Sequence, residues 1–98
     1  ADTTVRGQSP FSGAQVAQLN QALAEELNIR DTSGVVIVRV QPNTPANRYA
    51  FRAGDVILQI NGADIRTLAD LQQATGQPQT VWQIALKRQG RIIAATIR

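Results

Sequence analysis

Val35, Val36, Ile37, Val38 and Val40, interrupted only by Arg39, form a β-branched run entered from the turn cluster Asp31-Thr32-Ser33-Gly34. Branching at Cβ stiffens χ1 and suits a pleated surface, so the run specifies a mostly buried strand. Such a strand needs neighbours to pair its backbone and layers to cover its faces. With 98 residues, the chain can supply these from one domain with one core.

The flanking sequence predicts several short elements. Residues 1–10 are polar, contain Gly7 and Pro10, and lack periodicity, so they read as a linker or frayed lead-in to a domain spanning 11–98. A short edge strand is expected near Ala14 to Val16. Val16, Leu19, Leu23 and Leu27 recur at helical spacing, and Asn20 is placed to cap a helix over about 21–27. Thr44-Pro45 supplies a second cap with proline at the first helical position, predicting one or two turns over Ala46 to Ala50. Arg52-Ala53-Gly54-Asp55 turns the chain into a strand over Asp55 to Ile60, closed by the turn dipeptide Asn61-Gly62. From Thr67 the period is helical again, with Leu68, Leu71, Gln72 and Thr75 on one face and Gly76 and Pro78 at the end. Val81–Leu86 and Ile92–Ile97 flank Gln89-Gly90 as a terminal hairpin. Strands so close in sequence, with helices between them, predict a small α+β partial barrel rather than a doubly wound parallel sheet, whose crossovers are longer.

Composition excludes several function classes. Hydrophobic residues make up 43% and charged residues 17%, which argues against disorder. There is no Cys and no His, so neither a Ser-His-Asp triad nor a His/Cys zinc site can be built. No cofactor, metal or catalytic residue is expected. No apolar run approaches the roughly 20 residues of a membrane span, and no membrane insertion is expected. The chain lacks Met and so reads as a part of a longer precursor. Net charge is +3, and the last acidic residue is Asp70. The one basic cluster, Lys87, Arg88 and Arg91, lacks interleaved aromatics and reads as a solvated turn, not a nucleic-acid face. Asp55 beside Gly54 reads as a turn cap rather than a catalytic carboxylate.

The stretch Gly34 to Ala46, GVVIVRVQPNTPA, followed by Arg52 to Gly62, RAGDVILQING, resembles the signature of PDZ domains in HtrA/Deg serine proteases. The likeness continues through Thr67-Leu68-Ala69-Asp70-Leu71 and the final hairpin. The opening Phe11 to Val16 and the end at Arg98 are most similar to the second, C-terminal PDZ domain of a two-PDZ member. This resemblance implies a PDZ-like partial β-barrel or sandwich of five to six strands capped by two to three helices. It further implies a non-catalytic module whose parent is a periplasmic, homo-oligomeric serine endopeptidase engaged in protein quality control. The partners implied are C-terminal or unfolded peptide segments, the protease domain and a neighbouring PDZ domain.

By the same resemblance, Phe11-Ser12-Gly13-Ala14 is the loop whose N–H groups hold a ligand carboxylate, and Ala14, Gln15 and Val16 are the edge on which a peptide adds as a strand. Leu68, Leu71, Gln72 and Thr75 form the groove wall. Ser12 and Ala14 depart from the family pattern, which has a hydrophobic and a larger residue there, so affinity is expected no better than micromolar, about −8 kcal/mol. Ala50 stands where the resemblance suggests glycine, which predicts a positive φ. The plainer readings are that Phe11, Leu68 and Leu71 are core and Gly13 serves an ordinary turn. On those, the domain is a structural or oligomerisation module with a degenerate groove.

Overall fold

The computed structural model describes residues 2–98, and these form one antiparallel sheet of seven strands with three helices. In chain order the elements are β1 (Thr3–Thr4), β2 (Ala14–Gln18), α1 (Gln21–Leu27), β3 (Val35–Val40), α2 (Pro45–Arg48), β4 (Val56–Ile60), β5 (Ala63–Asp64), α3 (Leu68–Thr75), β6 (Trp82–Arg88) and β7 (Arg91–Ile97). The strands pair in the order β1-β2-β3-β4-β6-β7, with β5 folded back on β4. The expected α+β architecture is present.

Local signals set the element ends. The Asn20 side chain accepts from Leu23 N–H at 2.8 Å, and Asn28 closes α1 in the left-handed region at φ 59°. Thr44 caps α2 with Pro45 in its first turn. A reciprocal capping box starts α3: Thr67 Oγ1 accepts from Asp70 N–H at 3.1 Å and Asp70 Oδ2 from Thr67 N–H at 3.2 Å. The β6–β7 hairpin turns through Gln89 and Gly90, both at positive φ, as a two-residue turn of the primed kind requires.

The β3 run is apolar without alternation because both faces of the sheet are covered there. Val35 and Ile37 join the larger core with Phe11, Ala46, Ile57, Leu71 and Trp82. Val36 lies in a second cluster with Leu19, Ala24 and Val56. Phe11 and Phe51 stack with centroids 4.6 Å apart and planes at 20°, a contact worth about 1 kcal/mol beyond its burial.

Three expectations are corrected. The lead-in is not frayed: Thr3 and Thr4 pair with Val16 and Gln15, and Val5 is buried. Two residues of polar pairing leave no periodic trace in a sequence. The second helix stops at Arg48, and Ala50 lies beyond it at φ 64°. The basic cluster is not simply solvated. Lys87 pairs with Asp31 at 3.2 Å, while Arg88 reaches Asp55 through Nε at 2.8 Å and Nη2 at 2.7 Å. Asp55 is buried and also accepts from Arg52 N–H at 2.9 Å, so it does cap its turn while answering a cation 33 residues away. Donating these hydrogen bonds to the Asp55 carboxylate raises the Arg88 pKa above its ordinary value.

Candidate functional site

Five of the ten residues predicted for the groove share one cleft. β2 lies along one side and α3 along the other, with a cleft of about 240 Å³ between them. Val16, Leu68, Leu71, Gln72 and Thr75 all line it, as does Gly76. Leu71 and Thr75 are buried, Leu68 is half-buried and Gln72 is exposed at the mouth. Thr75 Oγ1 donates to Leu71 O at 2.8 Å, so its hydroxyl is satisfied by its own helix.

Sequence reading missed the side chain that fixes the spacing of the two walls. Gln18, at the end of β2, donates from Nε2 to Arg66 O at 2.8 Å and to Gly34 O at 2.9 Å, and its Oε1 accepts from Leu68 N–H at 3.2 Å. One amide thereby holds the start of α3 to the sheet. Its partners lie up to 50 residues away, and no local pattern marks an exposed glutamine for such a role.

Phe11 to Gly13 form a tight, buried turn that leads into Ala14, the first residue of β2, and none of the four lines the cleft. Phe11 is fully buried core. Ser12 N–H donates to Ser9 O at 3.1 Å and Ala14 N–H to Phe11 O at 2.9 Å, which leaves Gly13 N–H as the loop donor directed at the edge strand. The Ser12 hydroxyl donates to Gly7 O, so it ties the preceding turn together instead of lining the cleft. Gly13 sits at φ +95°, and a Cβ there would lie 2.2 Å from Thr44 Cβ. Its glycine is required by the fold at α2 as much as by any ligand.

The β2 edge is already paired. Val5 N–H donates to Ala14 O at 2.8 Å, Gly13 N–H donates to Val5 O at 3.0 Å, and Thr3–Arg6 line the remaining cleft. An extended segment thus runs antiparallel to β2 with an apolar side chain next to the Gly13 turn. A wider depression of about 520 Å³ beside β4 has its polar residues engaged with each other, Gln59 to Asp64 at 2.9 Å and Arg66 to Asp64 at 3.3 Å. Among the described residues no acidic, His or Cys cluster could hold a metal, and no helix is long and apolar enough to cross a membrane.

Comparison with known proteins agrees with this geometry. The family described as PDZ domain matches residues 10–98. A probable periplasmic serine endoprotease, DegP-like, from Marinomonas sp. is 34% identical over 66% of this chain and 14% of its own length. Serine protease HTRA1 of Xenopus tropicalis is 30% identical over 80% of this chain and 18% of its own length. Periplasmic serine endoprotease DegP of Salmonella typhimurium is 30% identical over 87% and 18%. The chain therefore spans less than a fifth of the length of these relatives. In structure it is similar to the HtrA3 PDZ domain bound to a phage-derived ligand, FGRWV, with a TM-score of 0.72, 24% identity, and coverage of 87% of this chain and 80% of that one. The chain belongs to the PDZ domain family, a non-catalytic module whose relatives here are HtrA/DegP serine proteases.

Proposed function

We propose that this domain recognises extended peptide segments, C-termini among them, in the cleft between β2 and α3, and that it serves a larger periplasmic serine endopeptidase in substrate recognition. One observation carries the reading: the β2 edge holds an extended segment by main-chain bonds, with Gly13 N–H donating at the end of that segment. Strand addition of this kind takes affinity from the backbone and selectivity from the slots that alternate side chains enter. The names of the relatives as periplasmic serine endoproteases support the parent and its compartment. The FGRWV ligand of the structural neighbour supports the ligand class.

The test is a titration of the isotope-labelled domain with FGRWV as free acid and as amide. Shifts are expected at Gly13 to Val16 and along Leu68 to Thr75, with the acid bound more tightly and a Kd in the micromolar range or weaker. Equal shifts for acid and amide, or shifts elsewhere, would remove the reading. A structural or oligomerisation role is favoured by one fact, that the edge is paired within the chain itself. On that reading neither peptide binds.

A further inference from the structure

We infer that Thr3–Arg6 is a built-in occupant of the peptide cleft, which an outside peptide must displace to bind; this rests on the reading of the cleft as a peptide site. The segment stands where an added strand would stand. It pairs Thr3 with Val16 and Thr4 with Gln15, and Val5 bonds Ala14 and Gly13 through its N–H and its carbonyl oxygen. The Val5 side chain enters the buried cluster that includes Val16 and Leu71. Gly13 N–H, the loop donor directed at the edge, is spent on Val5 O, so a ligand carboxylate meets no open donor there until the segment leaves.

The segment is also built to leave. Its regular pairing covers two residues, Thr3 and Thr4 are half-buried, Asp2 and Arg6 are exposed, and Val5 is its single buried side chain. So few buried contacts put a segment at the low end of local opening free energies. The chain behind it is anchored independently: Ser9 and Pro10 are buried, Ser9 Oγ accepts from Phe11 N–H at 3.2 Å, and Ser12 Oγ donates to Gly7 O. Residues 2–6 can therefore swing off β2 while residues 7–14 hold their turn. Tethered beside its site, the segment acts at an effective concentration in the millimolar range, and a domain closed nine-tenths of the time binds outside peptides about tenfold more weakly.

The experiment uses the full chain, unaltered and as Val5→Asp and Val5→Ala, with two probes: the free-acid peptide ADTTV, identical to residues 1–5, and FGRWV. Val5→Asp puts a charge into an apolar slot, and Val5→Ala removes most of the anchor; both leave the β2 edge and α3 intact. Both variants are expected to bind ADTTV more tightly than the unaltered chain, Val5→Asp by about tenfold or more. Hydrogen exchange at Gly13 N–H should quicken in both and slow again when peptide saturates. Equal affinity for ADTTV in all three chains, or no binding of ADTTV to a folded Val5→Asp chain, overturns the inference. If FGRWV binds while either of those holds, the cleft remains a peptide site without a gate. If a folded Val5→Asp chain binds neither peptide, the peptide-site reading falls with it. Should even Val5→Ala fail to fold cooperatively, Val5 is core rather than a releasable anchor, and the inference is overturned on that ground.

Discussion

Ala50 and Gly13 show how far a single position can be read before its surroundings are known. Ala50 holds φ 64°, where Cβ crowds the following carbonyl and costs about 1 kcal/mol. Ala50→Gly should stabilise the domain by about 0.5 kcal/mol, the relief of that strain less the extra entropy of glycine in the unfolded chain. A chemical-denaturation midpoint that stays put or falls would contradict this. The sequence exposed this residue, because an alanine ends a helical turn where the family resemblance suggests glycine. Gly13 was read only in part. The resemblance assigns it to a ligand loop, yet an added Cβ would strike the backbone-proximal atoms of Thr44 at 2.2 to 2.4 Å. Thr44 also caps α2 and donates to Gln41 O at 2.8 Å, so it has little room to yield. Gly13→Val should therefore cost more than about 2 kcal/mol and release α2, visible as lost dispersion of the Ala46 and Asn47 amides. The clash joins residues 31 positions apart, and a linear reading contains nothing that brings them together.

At the scale of elements, those with their own chemistry were legible. α1 and β3 have the expected ranges because Asn20, the turn ahead of Val35 and the β-branched run each act within a few residues. β1 was not, since its only specification is the vacant edge of β2. The start of α3 depends on both kinds of signal. Backbone N–H groups of Arg66 and Thr67 donate to Asp70 and hold its pKa below the ordinary carboxylate value. A carboxylate with a lowered folded pKa contributes stability that is present above its unfolded value, about 3.9, and is lost as pH falls through the folded one. The first turn of α3 should accordingly loosen below about pH 4, seen as faster exchange of the Thr67 N–H, and Asp70→Asn should flatten that pH dependence. Exchange that is equally pH-dependent in the variant would assign the effect to another group. The tertiary half is Gln18, whose bonds to Arg66 O and Leu68 N–H fasten the same end of the helix to β2 while a third, to Gly34 O, ties it to the turn before β3. Gln18→Ala is expected to cost about 1 to 2 kcal/mol and to alter the cleft that both walls define, because it removes the bonds to the Arg66 carbonyl and the Leu68 N–H together. An unchanged stability would mean that water replaces all three bonds.

In the whole molecule, two clusters share one sheet, and among the described residues a few side-chain ion pairs join distant segments beyond the backbone ladders. The Asp55–Arg88 pair is the most enclosed of these, joining the entry of β4 to the end of β6, while Arg88 Nη2 also donates to Ala50 O at 3.1 Å. A fork of two N–H donors on one carboxylate fixes both partners in plane, and lysine cannot reproduce it. Asp55 is buried to 1% exposure, so Arg88→Ala would leave a carboxylate with a turn N–H and no cation. Leaving a buried charge unpaired costs about 3 kcal/mol or more. In a domain of this size that corresponds to a Tm lower by roughly 12 to 24 °C. Arg88→Lys should fall between, since it restores the charge without the second bond. Because the pair bridges strands on which both clusters rest, the loss should appear as one cooperative transition at a lower midpoint with an unchanged slope. A changed slope, or a first transition confined to the β6–β7 hairpin, would show instead that the hairpin can separate from the sheet and that the pair secures that element alone.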